Sequence, residues 1–308
     1  MRVLVFGAGV IGQIYAARLS TAGHLVTLVC RKSTGARLKT TGIILCRNGV
    51  IGTCVAPKIV AHAAEAGRVD VALIAIRRDQ VAAALPELRR IRAATIVSLI
   101  DLPLGIEQLT RELGSDRFVP AFPGVAGVQR SGGVVEYLEV DQQPTTVGRV
   151  PREPWATALF RSAQFGTSVS NDMPAWLKTH AIFIAAFESA IVGSPGGLAA
   201  LVANSSALRA LVLGVREGLN ALHKRNIPVL PTSVRVIFLV MPVWFAMRYW
   251  RRALAGPLGI LGMAPHSLAS RETELPALQD DVRAILRGQN TPRLDAIFAT
   301  STSAVSTV

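Results

Sequence analysis

Residues 2–32, RVLVFGAGVIGQIYAARLSTAGHLVTLVCRK, decide the fold. Arg2–Phe6 is an apolar run that ends at glycine, and Gly7-Ala8-Gly9-Val10-Ile11-Gly12 follows it as GxGxxG. Such hexamers arise by chance. This one leaves a strand and opens a helix over Ile11–Ala22, which Gly23 closes before a second apolar run at Leu25–Cys30. In that setting each glycine has a physical reason: Gly7 makes the tight turn, Gly9 lets a diphosphate approach the backbone, and Gly12 lets helix and strand pack closely. The helix start offers unpaired N–H groups and the positive end of its dipole, which suit an anion. The stretch predicts a dinucleotide-binding βαβ unit, with Gly7, Ala8, Gly9, Val10, Ile11 and Gly12 as its phosphate loop.

The end of the second strand selects the dinucleotide. An acidic residue there binds the adenine ribose hydroxyls of NAD(H). This chain has Cys30-Arg31-Lys32 instead. A carboxylate would repel the 2′-phosphate of NADP(H), whereas a guanidinium binds it through paired hydrogen bonds. Arg31 is the expected clamp, Lys32 its helper, and NADP(H) the expected cofactor.

Outward from this unit, Val69–Ile76 and Ala94–Ile100 read as buried parallel strands separated by a helix around Gln80–Arg92. Gly133–Val140 and Thr145–Val150 read as antiparallel strands closing the sheet. From Met173 the strand patterns stop, and Pro174–Val192, Gly196–Ala203, Ser206–Asn226 and Leu278–Gly288 read as helices. The closing residues, STSAVSTV and those just before them, are small and polar and are expected to fray. The expected fold class is α/β: a doubly wound, mainly parallel Rossmann domain at 1–168, then an all-α domain at 169–308 for substrate and dimer contacts.

Composition narrows the field. The chain has 308 residues, half of them hydrophobic and 17% charged, which excludes a disordered or fibrous protein. The net charge of +13 is spread along the sequence without a long basic run, so nucleic acid is not the expected partner. Three cysteines (Cys30, Cys46, Cys54), none in a CxxC pair, fit free thiols in a reducing compartment rather than a zinc site. The apolar run at the start is too short for a signal peptide, and the expected location is the cytoplasm. Val236–Met247 is apolar but shorter than the roughly twenty residues that span a bilayer, and Pro242 interrupts it. A kinked core helix or two short helices are expected there, with residues 236–250 suited to a homodimer contact rather than a membrane. Metal-site and hydrolase spacings do not occur.

The whole chain resembles the ketopantoate reductase family, the NADP-dependent 2-dehydropantoate 2-reductases of pantothenate synthesis. Residues 3–31 carry that family's glycine loop, its AGH turn and its arginine after the second strand. Arg77 and Gln80 stand where the family has a lysine and a glutamine that meet the cofactor. Trp176-Leu177-Lys178 is similar to the segment that introduces the family's catalytic lysine, and Arg271-Glu272-Thr273-Glu274 to the one that supplies its glutamate. The resemblance implies a Rossmann domain followed by a helical domain and reduction of a 2-oxo acid. The sequence also departs from the pattern. Leu102-Pro103-Leu104-Gly105 lacks the family's asparagine, and Ile182 and Ala186 replace the asparagines four and eight residues after the lysine.

Reduction of a 2-oxo acid or related ketone needs a hydride at the carbonyl carbon and a proton for the developing alkoxide. Lys178 is the expected proton donor, Glu274 its supporting carboxylate, and Arg77 a cation for the substrate carboxylate. Ile182 and Ala186 share the lysine's helix face and are expected to line an apolar pocket, with Ser267 and Ser270 beside them in a loop. The competing expectation, motivated by the lost amides, is a catalytically silent NADP-binding sensor.

Overall fold

The computed structural model describes residues 1–305. β1 (Arg2–Phe6), α1 (Val10–Thr21) and β2 (Leu25–Val29) form the opening unit, followed by α2 (Lys32–Thr41). Three short strands come next: β3 (Leu45–Arg47), β4 (Val50–Ile51) and β5 (Lys58–Val60). The alternation resumes with β6 (Arg68–Ile74), α3 (Val81–Leu88), β7 (Arg92–Ser98), α4 (Ile106–Leu113) and β8 (Phe118–Phe122). β9 (Val125–Gln129), β10 (Val135–Glu139), β11 (Thr145–Gly148), α5 (Glu153–Ser162) and β12 (Thr167–Ser170) complete the first unit.

An eight-stranded sheet runs β12-β11-β8-β7-β6-β1-β2-β5. Every neighbouring pair in it is parallel except β11 on β8. Val3, Leu4 and Val5 are buried, as an unbroken apolar run must be when helices cover both faces. The chain steps from β1 to β2 on one side and later to β6 on the other. The sheet order therefore reverses between β1 and β6, whose ends pair at Phe6 and Ile74. Open α/β sheets bind ligands at such a reversal.

Two expectations change here. Gly133–Val140 does not close the main sheet: β10 pairs antiparallel with β9 and parallel with β3 in a separate four-stranded sheet, β4-β3-β10-β9. Its partner β3 lies too far back in the sequence for local alternation to reveal it. The compact units are Met1–Met173 and Pro174–Val308. Residues expected to open the helical domain at 169 still belong to β12, in register with β11.

The second unit is helical: α6 (Met173–Val192), α7 (Gly197–Ala203), α8 (Ser205–Lys224), α9 (Thr232–Arg235), α10 (Val243–Ala255), α11 (Ala264–Ser270), α12 (Glu274–Ile285) and α13 (Pro292–Val305). Its core joins Phe187, Leu211, Phe238, Trp250 and Val282. Gly218 on α8 permits close packing there, because a Cβ at that position would stand 2.8 Å from Ile182 of α6 and 2.9 Å from Leu294 of α13. The apolar 236–247 stretch is a π-helical turn, Val236–Val240, and the start of α10, broken at Met241-Pro242. Phe238 and Ala246 are buried while Val240 and Trp244 are exposed. Among the described residues one helix, Met173–Val192, is by itself long and apolar enough to cross a membrane, and 78% of its apolar window is buried inside the protein.

The fraying expected of the closing residues falls partly on 306–308; the described part continues α13 to Val305. On α13, Thr300 donates to the Ile297 carbonyl at 2.7 Å, and the Ser301 hydroxyl accepts from Gln279 at 2.9 Å. Residues 306–308 lie outside the described residues.

Candidate active site

The glycine loop follows β1 at the reversal of the sheet. Gly7 has φ +110°, and a Cβ there would overlap the carbonyl oxygen of Ala75, the residue just after β6. A Cβ on Gly12 would overlap the Gly7 carbonyl of the loop itself. Only glycine fits either place. Gly9 differs: it caps α1 in an ordinary extended conformation, and nothing lies within 4 Å of where its Cβ would be. The space in front of Gly9 is thus empty of protein, and α1 starts without a side-chain cap or an acidic residue in its first turn. Unpaired N–H groups beside open space make a cradle for an anion.

Gln13, which sequence reading passed over, supports this loop. It is wholly buried on α1, and its amide donates to the Ala8 carbonyl at 2.9 Å. Arg31 caps α2 and Lys32 is its first residue; both are exposed, and α2 has no acidic residue in its first turn. Neither cation forms a hydrogen bond or ion pair among the described residues. Two free cations at a helix N-terminus fit a phosphate.

Arg77 and Gln80 follow β6, on the other side of the reversal. Their side chains are engaged locally, which changes the reading of Arg77 as a cation awaiting a carboxylate. Arg77 binds Asp79 through two contacts of 3.1 and 3.0 Å, and the Gln80 side chain accepts the Arg77 backbone N–H at 3.2 Å. A carboxylate two residues on neutralises the guanidinium. Leu102-Pro103-Leu104-Gly105 is a turn whose glycine caps α4.

On the second unit, Lys178 lies on α6, half-buried, with no hydrogen bond or ion pair among the described residues. It does not meet Glu274. That carboxylate opens α12, a short turn after α11, and so faces back to His266 of α11 at 3.8 Å. Ile182 and Ala186 are wholly buried in the helical core, Ile182 against Gly218. Both belong to the apolar core of the helical unit, where their side chains pack against neighbouring helices. Residues 264–270 are helix rather than loop. Ser267 is buried and spends its hydroxyl on the Met263 carbonyl at 2.7 Å. Ser270 donates to Glu188 at 2.9 Å.

Glu188 is the residue the sequence reading missed. A single carboxylate inside the apolar run 181–192 was the available signal. Its side chain is 2% exposed, and it takes His266 Nδ1 at 2.5 Å on one oxygen and the Ser270 hydroxyl on the other. His180, on the same helix, is buried and stacks on Trp176, 5.2 Å between ring centres. Burial, followed by the charge of His266, pushes its pKa down to about 3, so it stays neutral.

Residues 3–152 match the sequence model of the family described as Ketopantoate reductase PanE/ApbA. No curated protein sequence matches the chain. Among solved structures, 2-dehydropantoate 2-reductase from Geobacter metallireducens GS-15 is 18% identical and superposes with a TM-score of 0.76, covering 99% of this chain and 100% of that one. The PanE/ApbA family ketopantoate reductase from Ralstonia eutropha JMP134 is 18% identical, with a TM-score of 0.74 over 100% of this chain and 99% of that one. A D-mandelate dehydrogenase solved with NADH and anilino(oxo)acetate is 14% identical, with a TM-score of 0.76 over 100% of this chain and 99% of that one. At these identities the likeness establishes the fold: a Rossmann-type sheet followed by a helical region.

Proposed function

We propose, taking the match of residues 3–152 to the ketopantoate reductase family as premise, that this chain is an NADPH-dependent reductase of a 2-oxo acid or related ketone. The observation that carries the proposal is the open anion cradle at Gly9 together with the unpaired Arg31 and Lys32. In this reading Gly7, Ala8, Gly9, Val10, Ile11 and Gly12 take the diphosphate, and Arg31 and Lys32 take the 2′-phosphate. Arg77 and Gln80 shape the wall after β6. The bound reduced nicotinamide supplies the hydride. Lys178 stabilises the negative charge that develops on the carbonyl oxygen and gives that oxygen its proton, as a positioned ammonium can. Glu274 and Ser270 serve the same centre. A neighbour, a D-mandelate dehydrogenase solved with anilino(oxo)acetate, supports including 2-oxo acids that carry an aromatic ring among the substrates tested.

The purified protein is expected to bind NADPH and to consume it with at least one compound of a panel of 2-oxo acids that includes ketopantoate. Lys178→Ala should lower kcat roughly 100-fold. If NADPH binds and no member of the panel consumes it, the reductase reading fails. The burial of Ile182 and Ala186 and the Arg77–Asp79 pair favour a second reading, a silent NADP-binding sensor, in that case.

A further inference from the structure

The Glu188–His266 pair, which links Ser270 to Glu274, has no place in the mechanism so far. A structural ion pair would leave it without one, yet its arrangement is costly for mere packing. Glu188 is 2% exposed on a core helix, where a carboxylate loses its hydration. An apolar residue would serve packing at that position better. His266 is 55% exposed and needs no buried partner to be solvated. What the pair does achieve is orientation. Glu188 takes Nδ1, Ser270 fixes the other Glu188 oxygen, and the remaining ring nitrogen is turned toward Glu274 at 3.8 Å. From α6 the ring is faced by Glu188 and by His180, and from α12 by Glu274. His180 carries no charge in the working range because burial keeps it neutral. His266 is therefore the imidazole through which charge in this cluster can change.

We propose that His266, clamped by Glu188 and Ser270, is a positioning residue for Glu274, so that a Glu188–His266–Glu274 relay sets the orientation and charge of that carboxylate during the reaction. This rests on the reductase reading, in which Glu274 serves the reacting centre. A cation held beside Glu274 favours its ionised form. Removing the cation shifts the pH at which activity rises.

The experiment has two arms on the full chain. In the first, without substrate, the titration of His266 is followed by NMR of protein labelled with ¹⁵N-histidine. Glu274→Gln and Glu188→Gln each remove an anion beside the ring, and each should lower its midpoint by about one pH unit. In the second, NADPH consumption is measured against pH. His266→Asn and Glu188→Gln should lower kcat about tenfold with KM within about twofold, and move the acidic limb of kcat/KM up by about one pH unit. Circular dichroism and NADPH titration confirm that each variant is folded; should Glu188→Gln not fold, Glu274→Gln carries the first arm. A midpoint unmoved by Glu274→Gln overturns the relay, as does an unmoved limb in an active His266→Asn variant. A wild-type protein that consumes NADPH with no compound, although His266 and Glu274 titrate together, instead fails the reductase reading and takes the catalytic assignment with it.

Discussion

Arg31 is the side chain on which the proposed choice of dinucleotide rests. It stands at the end of β2, exposed, with no carboxylate beside it and Lys32 next in line. Arg31→Glu should weaken NADPH binding by tenfold or more while leaving NADH binding nearly unchanged, because a carboxylate repels only the extra phosphate. Fluorescence titration with both dinucleotides checks this, and equal losses for both would remove Arg31 from the site. The tight places of Gly7 and Gly12 and the position of Arg31 at the end of β2 were legible in the sequence because each depends on a local segment. The Glu188–His266 contact was not, since it joins residues 78 apart in sequence through the packing of α6 and α11. Nor was the neutralisation of Arg77, which depends on the conformation of the turn that brings Asp79 back to it.

Among elements, those with a strong period were legible and those defined by distant partners were not. α1, β1, β6 and β7 follow their apolar runs closely. The four-stranded sheet escaped notice because β10, read as a strand, pairs in parallel with β3 across more than half of the first unit, and β3 spans only Leu45–Arg47. Helix α8 gives a test at this scale. Its cap is Asn204, whose side-chain oxygen accepts the N–H groups of Ser206 and Ala207, each at 3.0 Å. Asn204→Ala should destabilise the second unit by about 1 kcal/mol. Denaturant unfolding followed by tryptophan emission measures it, since Trp250 lies in the core that α8 helps to form.

For the whole molecule, pH acts through the buried His180. Its folded pKa, about 3, lies below the ordinary 6.5, so the unfolded chain takes up the proton first. The stability associated with its neutral form is complete above pH 6.5 and is lost as the pH falls from there toward 3. The slope is roughly 1.4 kcal/mol per pH unit inside that window. Thermal melts between neutral pH and pH 4 should show a falling midpoint, with a shallower fall in His180→Gln. Equal slopes in the two proteins would mean that other groups govern acid unfolding.

Gly9 lies in open space with backbone angles any residue adopts, unlike Gly7 and Gly12. Folding does not require a glycine there. Gly9→Ala should accordingly raise stability by about 0.4–1 kcal/mol by restricting the unfolded chain, while its methyl group obstructs the diphosphate. Calorimetry should show a protein that melts later and binds NADPH poorly; equal affinity in the two proteins would place the diphosphate elsewhere. Such a variant would be a well-folded blank. The wild-type glycine then records selection for the ligand against the fold's own preference, a trade of durability for occupancy.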